Sequence, residues 1–82
     1  MKLCVIGTGY VGLVAGACLA DMGNDVICVD NNEEKLKQLE QGIIPIYEPG
    51  LDELVTSNVS EHRLKFSSDL DDAVKKSEVC FI

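Results

Sequence analysis

Apolar positions along the chain fall into short continuous runs and longer periodic ones. Lys2 to Ile6 and Asp25 to Asp30 are built around Leu3-Cys-Val-Ile6 and Val26-Ile-Cys-Val29, the pattern of strands buried on both faces of a parallel sheet. Between them, Tyr10 to Met22 is apolar nearly all the way round, which predicts a helix buried between the sheet and a further layer, ended by Gly23-Asn24. A second helix is predicted after Asn31 or Asn32 as its cap. Glu33 and Glu34 sit favourably in its first turn, Leu36 and Leu39 mark its buried side, and Gly42 stops it. Leu64-Lys65-Phe66 predicts a short third strand. Asp69 to Lys76 predicts a short helix, with acids early, lysines late, and Leu70, Ala73 and Val74 facing inward. A fourth strand is expected to begin at Glu78.

The stretch from Gly42 to Gly50 interrupts this alternation. Pro45 and Pro49 exclude a continuing helix, while Ile43, Ile44 and Ile46 exclude a solvated linker, so an ordered loop packed on the domain is expected. Pro49 is suited to the first position of a helix running through Leu51, Leu54 and Val55. Glu48, just before it, is read as a cap in preference to a catalytic group, and Tyr47 remains ambiguous. The resulting order is strand, helix, strand, helix, loop with a short helix, then strand, helix, strand. It predicts an α/β fold: a partial Rossmann, doubly wound, with a parallel sheet of about four strands in the order 3-2-1-4 and flanking helices.

The chemistry is concentrated where the first strand meets the first helix. Gly7-Thr-Gly9-Tyr-Val-Gly12 has the spacing of a turn that brings backbone N–H groups against a diphosphate, with a helix starting directly behind it. The N–H groups of Tyr10 and Val11, at the first helical positions, are among those a helix leaves unpaired. Asp30 closes the second apolar run, where a carboxylate can accept hydrogen bonds from both hydroxyls of an adenine ribose and would repel a 2′-phosphate. That points to NAD over NADP. Lys35 lies one turn into the second helix, on a side that can face Asp30, and by itself predicts no more than a surface lysine.

Composition narrows the partners. Fourteen acids against seven Lys and Arg give a net charge of −7, which argues against nucleic acid or an anionic membrane. An anionic dinucleotide is compatible, because its phosphates are held by helix-start dipoles. Val11 to Ala20 falls well short of the roughly 20 apolar residues of a membrane span. The first residues lack the layout of a signal peptide, so a cytoplasmic location is expected by default. Cys4, Cys18, Cys28 and Cys80 have no metal-ligand spacing and are expected to be buried thiols, with no metal site; His62, alone in a polar stretch, is expected on the surface. The 82 residues allow one domain at most, and a chain near this length buries only about 60% of the surface its unfolded form exposes. Because Glu78 to Ile82 resembles a strand just begun, residues 1–82 are expected to be the N-terminal, incomplete part of a NAD-binding Rossmann domain, with no second domain present.

Gly7-Thr-Gly-Tyr-Val-Gly-Leu13, Val29-Asp30, Lys35 and above all Gly42-x-x-Pro45-Ile-Tyr-Glu-Pro-Gly-Leu51 resemble the amino-terminal part of the UDP-glucose/GDP-mannose dehydrogenase family across essentially the whole chain. Tyr47 looks most similar to the UDP-glucose 6-dehydrogenase branch. The resemblance implies an enzyme that oxidises a sugar C6 alcohol to a carboxylate in two NAD-dependent steps through a cysteine thioester. It also implies a role in polysaccharide biosynthesis, a UDP-sugar partner and a homo-oligomeric parent. It raises Lys35 to a cofactor contact beside Asp30 and the Tyr10–Val11 backbone. The family's catalytic cysteine and its helpers match nothing here, so no catalytic residue is assigned and the chain alone is expected to be inactive. Three other readings stay open: an FAD-binding oxidoreductase, another NAD-dependent dehydrogenase (GDP-mannose, UDP-N-acetylhexosamine, hydroxy acid or hydroxyacyl type), and a non-catalytic dinucleotide-binding module.

Overall fold

The computed structural model describes residues 1–7, 9–44 and 49–81, and the side chains of all of these except Tyr10. The chain runs β1 (Lys2–Ile6), α1 (Tyr10–Asp21), β2 (Asp25–Val29), α2 (Glu33–Glu40), α3 (Leu51–Ser60), β3 (Leu64–Ser67), α4 (Leu70–Lys76) and β4 (Val79–Phe81). The strands form one sheet in the order β3-β2-β1-β4, with every pairing parallel. This is the predicted order. Between β2 and β1 the pairing runs from Lys2 opposite Asp25 to Ile6 opposite Val29, so both strands end at the same level.

The two faces of the sheet are covered unequally. Leu3, Val5, Val26, Cys28, Leu64 and Phe66 point to one face, where they pack with Leu13 and Ala17 of α1, Leu36 and Leu39 of α2, and Leu51 and Val55 of α3. Cys4 and Val29 point to the other, against Ala73 of α4. Such a division follows from handedness. Successive parallel strands joined by right-handed crossovers put α1, α2 and α3 on one side, and stepping back across β1 to β4 puts α4 on the other.

Helix boundaries follow local chemistry. Asn32 caps α2 through its side chain, which accepts from the Lys35 N–H, and Asp69 caps α4 in the same way through the Asp72 N–H. Pro49 is not the first helical residue: Gly50, at φ 85° and ψ −12°, precedes the helix and α3 starts at Leu51. Those angles belong to the third residue of a type II turn, which favours glycine there with proline before it, so the pair Pro49-Gly50 makes a turn instead of a helix start.

Packing departs from expectation in three places. Helix α1 is buried on one side only: Leu13, Ala17 and Ala20 are inside, while Val11 is 78% and Met22 77% exposed. Among the described residues no element packs on that outer side. On α4 only Ala73 is buried, and Leu70 and Val74 are 44% and 43% exposed, because a helix of seven residues resting on two strands covers itself with one small side chain. Cys4 and Cys28 are buried as expected; Cys18, on the outward side of α1, and Cys80, on edge strand β4, are exposed. His62 is on the surface as expected, in the left-handed region at φ 61°. The loop reading for residues 45–48, and the roles weighed for Tyr47 and Glu48, lie outside the described residues.

One buried polar side chain joins α3, α1 and the turn before β3. Asn58 is fully buried on α3; its Nδ2 donates to the Leu54 carbonyl at 2.8 Å and to Asp21 Oδ1 at 3.3 Å, and its Oδ1 accepts from Arg63 Nε at 2.9 Å. Replacing Asn58 with Ala leaves Arg63 and Asp21 without this partner and opens a small cavity. A loss of about 2 kcal/mol is expected, since each buried hydrogen bond contributes about 1 kcal/mol and orphaned groups add to the cost. Urea unfolding followed by circular dichroism measures it.

Candidate nucleotide-binding site

The predicted glycine turn lies at the carboxyl end of β1, the position where open α/β sheets bind ligands beside a reversal of strand order. Each glycine has a separate reason. Gly7 takes φ 95°, a conformation that side chains disfavour, while its N–H donates to the Val29 carbonyl and continues the β1–β2 ladder past the last strand residue. A Cβ on Gly9 would meet nothing within 4 Å, so the space beside it is open. A Cβ on Gly12 would collide with the Gly7 carbonyl oxygen, and that contact with backbone has no side chain to yield. One turn further on, a Cβ on Gly16 would lie 2.7 Å from Cys28 Sγ. The glycines at 12 and 16 therefore let α1 rest directly on β1 and β2.

Electrostatics distinguish this helix start from the others. Helices α2, α3 and α4 each carry two acids in the first turn: Glu33 and Glu34, Asp52 and Glu53, Asp71 and Asp72. Helix α1 has none, and no side chain caps it at Gly9. Its positive end and its first N–H groups, those of Tyr10, Val11 and Gly12, remain available to an anion.

Asp30 stands beside the turn, because Ile6 pairs with Val29 and the two chains leave the sheet side by side. Its N–H donates to the Ser67 carbonyl, fixing it to the end of β3 as well. Its carboxylate accepts from the Asn32 N–H at 3.0 Å through Oδ1, and Lys35 Nζ lies 4.0 Å from Oδ2. The structure thus brings Gly7, Gly9, Tyr10, Val11 and Gly12 together in one turn, with Asp30 and Lys35 alongside.

Two cavities flank the turn. One, of about 320 Å³, is lined by Ile6, Gly7, Val29, Asp30, Asn31, Ser68 and Leu70. The other is an open groove of about 830 Å³ between the outer side of α1 and β4, with Val11, Cys18 and Phe81 among its lining residues. Asn31, Ser68, Leu70 and Phe81 were not among the site residues predicted from the sequence. Leu70 carried a misleading signal, an inward helix position, and the others carry none that a single chain displays.

The sulfur atoms beneath the turn are held neutral. Burial pushes the Cys28 thiol from an ordinary value of 9.0 up to about 12, with Cys4 nearby adding to the shift. Cys4 is raised as well, first by burial and then by Cys80, its register partner on β4. Among the described residues, no group of three or more His, Cys, Asp or Glu could hold a metal ion, and no helix is long and apolar enough to cross a membrane.

A parallel sheet in the order 3-2-1-4, a glycine turn opening a helix without acids, and a carboxylate at the next strand end define a dinucleotide-binding domain of the Rossmann class. Residues 1–82 match the UDP-glucose/GDP-mannose dehydrogenase family, NAD binding domain, and the chain belongs to that family. NAD is the cofactor this domain indicates. The chain is 58% identical over 82 residues to a UDP-glucose 6-dehydrogenase of Rhizobium meliloti, and 52% identical over 81 residues to the UDP-glucose 6-dehydrogenase TuaD of Bacillus subtilis. It covers 100% and 99% of itself in these matches, but 19% and 18% of the relatives. Among solved structures, a ternary complex of GDP-mannose dehydrogenase from Pseudomonas aeruginosa superposes with a TM-score of 0.95 at 40% identity, covering 100% of this chain and 19% of that one. A UDP-glucose dehydrogenase from Pyrobaculum islandicum gives 0.92 at 38% identity, covering 98% and 18%.

Three outcomes follow from the packing and electrostatics of the turn. Gly12→Ala forces α1 off β1, at a cost of about 1–3 kcal/mol for overpacking, and should lower the melting temperature and nucleotide affinity together. At pH 8, iodoacetamide should modify the exposed Cys18 while Cys28 stays unmodified until denaturant is added, as read by mass spectrometry. Because the Cys28 value is raised in the folded protein, its stabilising contribution is complete below about pH 9 and is lost as pH rises toward 12. Unfolding free energy should fall over that window.

Proposed function

We propose that this chain is the first part of the NAD-binding domain of a UDP-glucose 6-dehydrogenase, which converts UDP-glucose to UDP-glucuronate in two NAD-dependent oxidations through a cysteine thioester. The observation that carries the binding reading is the start of α1, where unpaired N–H groups and an uncompensated dipole face open space at Gly9. Gly7, Gly9, Tyr10, Val11 and Gly12 hold the pyrophosphate by backbone contact. Asp30 accepts from the adenine ribose hydroxyls, and Lys35 stands beside it. Bound NAD would supply the hydride acceptor; the residues here bind and orient it. The two cavities on either side of the turn suit a cofactor with two nucleotide halves.

The choice of UDP-glucose over GDP-mannose or a UDP-N-acetylhexosamine is supported by the identity to the Rhizobium and Bacillus relatives. No residue of this chain is assigned a catalytic role, and the chain alone turns over no sugar. The protein works in the cytoplasm, as a homo-oligomer, and supplies a uronic acid precursor for polysaccharide biosynthesis.

Titration with NADH and with FAD, followed by fluorescence, tests the cofactor. NADH should bind and FAD should not. Asp30→Ala should weaken NAD binding by about tenfold, the loss of one charge-assisted contact, and should shift preference toward NADP. An unchanged ratio of NAD to NADP affinity would remove Asp30 from the ribose.

A further inference from the structure

The corner between β2 and α2 contains a closed ring of contacts, of which the cofactor reading uses two members. Asp30 Oδ1 accepts from the Asn32 N–H at 3.0 Å. Asn32 Oδ1 accepts from the Lys35 N–H at 3.1 Å, and the Asn32 carbonyl accepts from the Leu36 N–H at 3.1 Å. Lys35 Nζ then returns to within 4.0 Å of Asp30 Oδ2. The side chains of Asp30 and Lys35 are 16% and 30% exposed, so neither moves as freely as a solvated surface group.

Asn32 is the member that joins the others. Its backbone, at φ −91° and ψ 95°, is extended, as a helix cap requires, and in this conformation its N–H turns back toward Asp30 while its side chain reaches forward to the first turn of α2. The geometry points to Asn32 as a positioning residue for the cofactor acid: by capping α2 it holds its own N–H on Oδ1 and keeps Lys35 beside Oδ2, so that Asp30 meets the ribose with its carboxylate already oriented. This rests on the reading that Asp30 binds the adenine ribose. The physical gain is preorganisation. A carboxylate aimed before the ligand arrives loses little rotamer freedom on binding.

A cap that only stabilised the helix would lower the melting temperature and affect NADH affinity equally whether or not Asp30 were present. A cap that orients Asp30 acts through that side chain alone. The test is a double-mutant cycle on the full-length protein, with NADH dissociation constants from fluorescence titration and melting temperatures measured in parallel. Asn32→Ala should weaken NADH about fivefold, the factor for losing one cap. Asn32→Ser, which keeps an oxygen at the cap, should stay within twofold of the unsubstituted protein. On an Asp30→Ala background, Asn32→Ala should cause no further loss. Should Asn32→Ala fold poorly, Asn32→Gln, which keeps a polar side chain but is a poor helix cap, takes its place in the cycle.

The inference is overturned if Asn32→Ala, or the glutamine variant in its place, binds NADH as the unsubstituted protein does, if it loses the same factor with Asp30 already removed, or if serine fails to restore affinity. In each of these cases the ribose role of Asp30 stands. Failure of the unsubstituted protein to bind NADH, or an Asp30→Ala variant with unchanged affinity, overturns the cofactor reading and this inference with it.

Discussion

The contact of α1 with the end of β1 is the constraint on which the site depends. A Cβ at Gly12 would collide with the Gly7 carbonyl oxygen, and a Cβ at Gly16 would press on Cys28, so only this pair of glycines lets the helix lie flat on the strands. From that approach the remaining geometry follows. The helix starts directly above the strand end, its first N–H groups face outward, and the parallel pairing of Ile6 with Val29 delivers Asp30 to the same spot. A helix standing a methyl group further off would carry its positive end away from Asp30.

Charge is arranged around this contact as carefully as shape. The protein is acidic overall, with a net charge of −7, yet the start of α1 carries no carboxylate where the other three helices each carry two. Beneath the turn, burial pushes the Cys28 and Cys4 thiols further above neutral pH, so these groups stay uncharged below the helix start. Among the described residues, the acid beside the glycine turn is Asp30, which is held by the Asn32 N–H and accompanied by Lys35 as an oriented acceptor instead of a diffuse source of repulsion. Net charge consequently says little about whether this surface accepts an anion; the local dipoles decide it.

The unequal covering of the sheet separates stability from binding. The larger core, beneath α1, α2 and α3, contains most of the fully buried side chains and is tied at its far end by Asn58 to Asp21 and Arg63. The binding end is less filled. Leu70 and Phe81 are 44% and 45% exposed, and each borders one of the two cavities beside the glycine turn. Relatives about five times as long share this segment, and the apolar groove lies between α1 and the edge strand β4, on the face of the sheet to which Val5 points.

Strand positions, helix positions, the parallel order and the glycine turn with its acid were legible from the sequence, because each depends on local rules. Apolar runs make buried strands, caps start helices, and three glycines at fixed spacing admit one close approach. Those rules failed where a residue's environment depended on what else packed nearby. Pro49 looked like a helix start until Gly50 took a turn conformation, and Leu70 looked like core although nothing in the described chain covers it. Asn31, Ser68 and Phe81 became lining residues only when β1, β2, β3 and β4 were set side by side. The ring from Asp30 through Asn32 to Lys35 is the intermediate case: the sequence supplied the cap and the charges, and the fold alone decided that they would meet. Periodicity records which side of an element is apolar, but the partner on that side is a matter of distances between segments far apart in the chain, and those exist only once the sheet has formed.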